Sequence, residues 1–332
     1  MRTIRWGIIG CGNVTEKKSG PGFQKSEHSE LVAVMRRNKD LAEDYAKRHN
    51  VPKWYTSAEE LVNDEDVDAI YIATPPSTHK EYAILAAKAS KPVYVEKPMA
   101  LNSTECSEMI EACNENGVPL FVAFYRRAMP AFLKVKEVVE SGAIGNIRFV
   151  TTVHHKKASE QEKNGELPWR VQPEIAGGGH FFDLASHTLD YLDFLLGPIE
   201  RVKGFASNQG GLYKAEDMVS GSYVFSSGVQ GTGQWCFNSY KNEDWNEIVG
   251  DKGSLRFSTL QEKPMILKNA DGEQEISMVY PEHVQQPLIQ AIVNELNGEG
   301  ESPSTGQSAL RTSRVMDQMV ASFYNDTTLK DC

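Results

Sequence analysis

"TIRWGIIGCGNVTEKK", residues 3–18, decides how the chain is read. Residues 3–9 read as a strand. Gly10 and Gly12 follow at once, with a polar helical stretch behind them. A glycine just past a strand permits a tight turn, and a second lets the main chain approach a pyrophosphate at a helix N-terminus. Gly10, Gly12, Asn13 and Val14 are therefore candidates for holding a dinucleotide. The third glycine position of that fingerprint holds Thr15, so the match is incomplete. Its weight comes from opening an alternating series.

The series runs on through the strand "ELVAVM" (30–35), the amphipathic helix "KDLAEDYAKRH" (39–49) and the strands "VPKWYT" (51–56) and "DAIYIAT" (68–74). The helix "HKEYAILAAKAS" (79–90) and the strand "PVYVEKP" (92–98) come next. A helix over 103–116 can be capped by Asn102, with Glu105 three residues later, and stops at Gly117. "PLFVAF" (119–124) closes the run. These strands are apolar throughout, the pattern of a parallel sheet covered on both faces. Residues 1–125 thus read as a doubly wound, Rossmann-type nucleotide domain.

Beyond residue 126 the texture changes. After a helix at 130–141, the short segments "IRFVTTVHH", "ERVKGFAS", "SGSYVFSS", "GVQGTGQWCF", "NEIVG", "GSLRFS" and "PMILKN" alternate partly and are punctuated by Gly, Asn and Asp. They predict a mostly antiparallel sheet, with a helix near 181–196 among its early strands. Helices near 283–297 and 304–324 end the chain. Residues 126–332 read as a second, α/β domain for substrate binding and oligomerisation. Tyr223, Phe225 and Trp235 on its sheet are candidates for a subunit contact.

The chain has 332 residues, 40% hydrophobic and 24% charged, with a net charge of -10. That balance fits a two-domain globular protein and argues against a nucleic-acid or membrane-surface binder, which needs a basic face. The N-terminus has neither the apolar core nor the cleavage site of a signal peptide. Of the five cysteines (Cys11, Cys106, Cys113, Cys236 and Cys332), Cys106 and Cys113 share a helical face. Two turns, roughly 10 Å, separate that pair, too far for a disulfide. Reduced thiols and a cytoplasmic location are the expectation.

The second strand ends in "VMRRN", where an acidic residue would hold a ribose 2′-hydroxyl and an arginine would accommodate a 2′-phosphate. Arg36 and Arg37 stand there. A guanidinium makes charge-assisted contacts to phosphate, which a carboxylate would repel. NADP(H) is therefore the preferred cofactor and NAD(H) the possible one, with Arg36 the favoured clamp. A pair of solvated surface arginines is the bland alternative. If NADP(H) is used, carbonyl reduction is the favoured direction.

Four pieces, "GIIGCGNV" (7–14), "ATPPSTH" (73–79), "EKPMAL" (96–101) and "GGGHFFDLASHTLD" (177–190), resemble, in order, the Gfo/Idh/MocA oxidoreductases, the family of glucose–fructose oxidoreductase and inositol dehydrogenase. With "GSLRF" (253–257) and "STGQSALRTSRVMD" (304–317), the likeness covers nearly the whole chain. The resemblance implies a nucleotide domain, an α/β domain whose open sheet often makes the oligomer interface, and a substrate beside the nicotinamide. It places the family's lysine on Lys97 and its helix Asp and His on Asp183 and His187. The loop lining the cofactor then holds Thr74, Pro75 and His79, beside Glu96.

The residues allow the same reading physically. Glu96 and Lys97 emerge at the C-terminal end of a parallel strand, where ligands of such sheets bind. Moving a hydride at a carbinol carbon also moves a proton at its oxygen, so a positioned acid/base is needed, and an ammonium steadies the developing charge. Pro98 stiffens the chain beyond. Asp183 and His187, four apart on a helix, share one face, and the carboxylate can orient the imidazole. A lysine paired only with its neighbour, or a metal set of His180, Asp183 and His187, are the rivals. Trp169 and Arg170 resemble a family segment near the nicotinamide, and Tyr125, with Arg126 and Arg127, follows the last strand as a candidate substrate contact. His154 and His155 sit on a strand whose alternation turns only one inward, and no role is assigned to them.

The reading is an NADP(H)-dependent oxidoreductase acting on a sugar, cyclitol or related polyol, as a homodimer or homotetramer, with no nucleic acid, membrane or metal. The alternatives are a dihydrodiol or sugar dehydrogenase using either nucleotide, a catalytically silent cofactor-binding regulator, and a lyase or glycosidase using transient oxidation.

Overall fold

The computed structural model describes residues 1–325; Cys332 lies outside them. Six strands, β1 (Ile4–Ile9), β2 (Ser29–Met35), β3 (Lys53–Tyr55), β4 (Ala69–Ile72), β5 (Val93–Val95) and β6 (Leu120–Val122), form a parallel sheet in the order β3-β2-β1-β4-β5-β6. β4, β5 and β6 are buried along their whole length, which is why they lack polar alternation. Ile70, Ile72, Val93 and Val95 face a core shared with Ala83, Ala86, Met109 and Ile110 of the helices His79–Lys88 and Ser103–Glu115. Their neighbours Tyr71 and Tyr94 turn to the opposite face, where the two rings stack at 4.8 Å near Phe23 and Trp6. Asn102 caps the helix Ser103–Glu115 by accepting the Glu105 N–H.

Two compact units divide the chain, and the first is discontinuous. It comprises Met1–Met129 and Pro281–Leu310. The sequence reading put the boundary at 125/126 and gave 281–310 to the second domain. The helix Gln286–Leu296 instead packs on the helix Gly20–Lys25, and Ala309 and Leu310 join the core containing Ile110 and Leu120. An amphipathic helix announces that it has a buried stripe, not which unit will cover it.

The second unit holds Pro130–Tyr280 and, of the described residues, 311–325. Its sheet comprises β7 (Ile147–His155), β8 (Ile199–Ser207), β9 (Met218–Phe225), β10 (Gln230–Cys236), β11 (Glu243–Gly250), β12 (Gly253–Phe257), β13 (Met265–Asn269) and β14 (Gly272–Ile276). The order is β14-β13-β12-β11-β7-β10-β9-β8, antiparallel throughout except for the parallel pair β7 and β10. β14 was not expected; its sequence "GEQEI" is almost wholly exposed and carries no apolar alternation.

One face of this sheet is covered by the helix His180–Leu196 and by the part of the last helix beyond Arg311. Phe181 meets Trp235 at 5.2 Å, and Met319 crosses Gly204. Tyr223, Phe225 and Trp235 all lie on that covered face, with 1%, 1% and 0% exposure. They are core residues, which corrects the expectation that they offer a subunit contact. Register decides this, since a strand's odd and even residues go to opposite faces. Phe149 and Phe205, on the other face, are 45% and 77% exposed. Among the described residues no helix is long and apolar enough to cross a membrane.

A Cβ at Gly204 would stand 2.6 Å from the Met319 carbonyl oxygen, so the helix lies close only because that strand position is bare. Gly204→Val should destabilise the second unit by about 1–3 kcal/mol through overpacking, read as a lower urea midpoint.

Candidate active site

In the first unit the strand order reverses between β1 and β4, the place where doubly wound sheets take their ligands. The chain leaves β1 through Gly10, whose φ of +90° suits glycine; a Cβ there would also lie 2.6 Å from Thr74 Cγ2. The N–H groups of Gly10 and Cys11 both donate to the Met35 carbonyl at the end of β2. A Cβ on Gly12 would find nothing nearer than 3.8 Å, so this side of the turn is open to an incoming group. Asn13 and Val14 begin the helix Asn13–Lys17, ahead of its first internal hydrogen bond. The Thr15 that breaks the glycine fingerprint has a structural job. Its hydroxyl accepts the Gly12 N–H at 3.0 Å and donates to the Gly12 carbonyl at 2.8 Å. These features fit a dinucleotide's phosphates at Gly10–Val14, held by main chain rather than by charge.

Arg36 and Arg37 part company. The half-buried Arg36 acts electrostatically on Cys11 in the glycine turn; burial pushes that thiol up to about 11 and the guanidinium offsets part of the rise. Arg37 is exposed, and its charge bears on Tyr82 instead.

His79 is fully buried. Its Nε2 lies 2.7 Å from the Thr74 carbonyl oxygen, and its Nδ1 lies 3.0 Å and 3.2 Å from those of Pro98 and Met99. Burial lowers its pKa, against the opposing pull of the carbonyl oxygens and the Glu96 charge. The ring ties the loop after β4 to the turn after β5, with both nitrogens facing main-chain carbonyl oxygens. Thr74 and Pro75 are half-buried, and Thr78 Oγ1 donates within reach of Thr74 Oγ1 at 2.8 Å.

At the end of β5, Glu96 turns inward and Lys97 stays half-buried; the Lys97–Pro98 peptide is cis. Glu96 Oε1 accepts from Tyr71 Oη and Gln285 Nε2, each at 2.6 Å, and Oε2 accepts the Lys97 N–H at 3.2 Å. Tyr94 donates to Gln285 Oε1 at 2.9 Å. Burial, then the Glu96 charge, raises the pKa of both tyrosines, so they remain donors. Tyr125 is buried in a turn at Tyr125–Arg127, with the Arg126 guanidinium 4.9 Å above its ring.

In the second unit the helix His180–Leu196 carries Asp183 and His187 one turn apart. Arg170 Nε lies 3.2 Å from Asp183 Oδ2, and the same guanidinium sits 4.4 Å from the Trp169 ring. Arg170 thus lies between Asp183 and the Trp169 ring. His187 is 5% exposed. His180 faces Glu162 at 2.6 Å. Of the paired strand histidines, His154 is buried while His155 half-emerges beside Gln234. Cys11, Cys106 and Cys113 are buried and Cys236 is half-buried, and none of the four is in a disulfide.

The model of the GFO/IDH/MocA "Oxidoreductase family, NAD-binding Rossmann fold" matches residues 4–124, and that of the GFO/IDH/MocA C-terminal domain matches 132–256. The chain belongs to the GFO/IDH/MocA oxidoreductases. A relative from Formosa agariphila, "Oxidoreductase P35", is 41% identical over 95% of this chain and 97% of its own. The "1,5-anhydro-D-fructose reductase" of Ensifer adhaerens is 30% identical over 92% of each. Among solved structures, aldose-aldose oxidoreductase from Caulobacter crescentus, complexed with glycerol, superposes with a TM-score of 0.85 at 24% identity, covering 96% of each chain. That last likeness concerns the fold.

Several residues of this family member escaped the sequence reading. Gln285 and Tyr71 are spread over distant segments, and no spacing pattern links them to Glu96. Glu162 carried a legible signal of another kind, since Ser159 and Glu162 form a capping box at the helix Glu160–Lys163; the same carboxylate also meets His180. Glu216 had none. It is fully buried, and both its oxygens accept the N–H of Gly179, the cap of the helix bearing Asp183 and His187, while the Tyr324 hydroxyl donates to Oε2.

Burial pushes the Glu216 carboxyl up to about 7, although the Tyr324 and Gly179 donors pull it down. The folded protein therefore keeps a proton here that the unfolded chain releases near 4.5. The resulting stabilisation is full below about 4.5 and is lost as pH rises through about 7. Glu216→Gln should flatten this component of the thermal midpoint between about pH 5 and pH 8, measured by circular dichroism. Parallel pH curves for both proteins would contradict it.

Proposed function

We propose that the chain transfers a hydride between NADP(H) and a hydroxyl or carbonyl carbon of a sugar, cyclitol or related polyol. The observation that carries this reading is Lys97, which leaves the C-terminal end of β5 from a main chain pinned by its neighbour's carboxylate. When bound, the nicotinamide supplies the two-electron hydride chemistry. Lys97 gives a proton to the carbonyl oxygen during reduction and, as the free amine, takes one from the hydroxyl during oxidation. Its charge also steadies the oxygen while that bond is changing. Asp183, held by Arg170, and His187 one turn later are the proposed catalytic and substrate-binding residues of the second unit.

Arg36 selects NADP(H) in this proposal, supported by its reach toward the glycine turn that Arg37 lacks. Kinship with a reductase named for 1,5-anhydro-D-fructose supports a carbohydrate substrate and the reductive direction. The thiol state of the described cysteines supports a reducing, cytoplasmic compartment. Phe149 and Phe205, exposed on the uncovered sheet face, support a homo-oligomer formed through that face.

The deciding assay follows nicotinamide absorbance with 1,5-anhydro-D-fructose and a panel of keto-sugars and polyols, with both nucleotides. Lys97→Met should lower kcat by roughly 10²–10⁴ while leaving the NADPH Kd in place. Near-normal turnover in that variant removes the mechanism. Arg36→Ala should cost about 10- to 100-fold in kcat/KM with NADPH and little with NADH, the worth of one charged hydrogen bond. An NAD preference unaltered by the substitution would refute the cofactor assignment.

A further inference from the structure

We infer that Gln285 is a positioning residue for Lys97, an inference that rests on the proposed role of that lysine. Gln285 is completely buried, stands in no motif, and belongs to the segment that returns to the first unit near the end of the chain. Its amide has two faces in use at once. Nε2 donates to Glu96 Oε1 at 2.6 Å, and Oε1 accepts from Tyr94 at 2.9 Å. Its own main chain is fixed, because the Gln285 N–H donates to the Lys18 carbonyl at 3.2 Å just past the glycine-turn helix. Glu96 in turn uses its second oxygen to take the Lys97 N–H. A fixed amide thus holds a carboxylate, and the carboxylate holds the peptide from which the Lys97 side chain departs.

The chemistry at position 285 is demanding. The side chain must donate toward Glu96 and accept from Tyr94, and a neutral amide does both at any pH. A methionine of similar length fills the space but offers no strong donor. A glutamate reproduces the pair only when protonated; ionised, it sets a second negative charge against Glu96. The titratable groups around this point are Tyr71 on β4, Tyr94 and Glu96 on β5, His79 on the next helix, which feels the Glu96 charge, and Tyr125, which acts on Tyr94. A carboxyl newly placed at 285 adds a group whose ordinary value lies in the acid range, and the ratio to wild type at each pH separates it from the groups that both proteins share.

The test uses the full chain with Gln285→Met, Gln285→Glu and Lys97→Met, NADPH as binding probe, and the best-turned-over keto-sugar of the panel as substrate. Gln285→Met should lose about 10- to 100-fold in kcat with an unchanged NADPH Kd, the mark of a misplaced catalytic group. Gln285→Glu should be equally poor at alkaline pH and recover toward wild type as pH falls below its own pKa, measured as the ratio to wild type at each pH. Wild-type kcat in Gln285→Met, or a pH-independent ratio for Gln285→Glu, overturns the inference. So does failure of both variants to fold, which would make Gln285 a residue of the core alone. Turnover retained by Lys97→Met would fail the underlying mechanism instead, and is read separately.

Discussion

Burying a carboxylate costs several kcal/mol unless its lone pairs are met, and Glu96 is buried at the end of a parallel strand. It is met from three directions, by Tyr71 on β4, by Gln285 from the returning segment and by the N–H of Lys97 itself. Hydrogen bonds to a charged group are worth about 1.5–3 kcal/mol each, so losing any one would remove an appreciable fraction of the roughly 5–15 kcal/mol that keeps a domain folded. The arrangement joins β4, β5 and the segment beginning at Pro281, and from the joint Lys97 emerges. The same unit uses His79 to tie the loops after β4 and β5, so the residues around the lysine are fixed from below and from the side.

The second unit repeats the device with different parts. Glu216 receives the first turn of the helix that bears Asp183 and His187, and Glu162 receives the imidazole of His180 on that turn. An acceptor at a helix N-terminus satisfies a donor that the helix cannot satisfy and lies at the favourable end of its dipole. Arg170 braces Asp183 from outside. Buried carboxyls thus act here as scaffolding beneath the proposed catalytic groups.

Much of this was legible in the residues. The alternation of apolar strands with helices up to residue 124 foretold a parallel sheet, because strands covered on both faces cannot afford polar positions. Asn102 and Glu105 foretold a helix start, and "EKP" foretold a lysine at a strand mouth. What was not legible depends on pairings distant in sequence. Nothing in "PEHVQQPL" says that Gln285 reaches Glu96, and the aromatic residues Tyr223, Phe225 and Trp235 look alike whether a sheet face is covered or open. Register and covering helices decide that, and both are tertiary facts. His79 shows the converse case: its place in the loop after β4 was legible, but the carbonyls around its ring were not.

The discontinuity of the first unit has a bearing on biosynthesis. A nascent chain extruded through residue 129 holds all six strands of the parallel sheet, yet it lacks Gln285 and the apolar residues Ala309 and Leu310 that complete the core. Domains generally fold as units and in order of emergence from the ribosome. Here the earlier unit must wait, with Glu96 only partly satisfied, while the whole antiparallel sheet is translated.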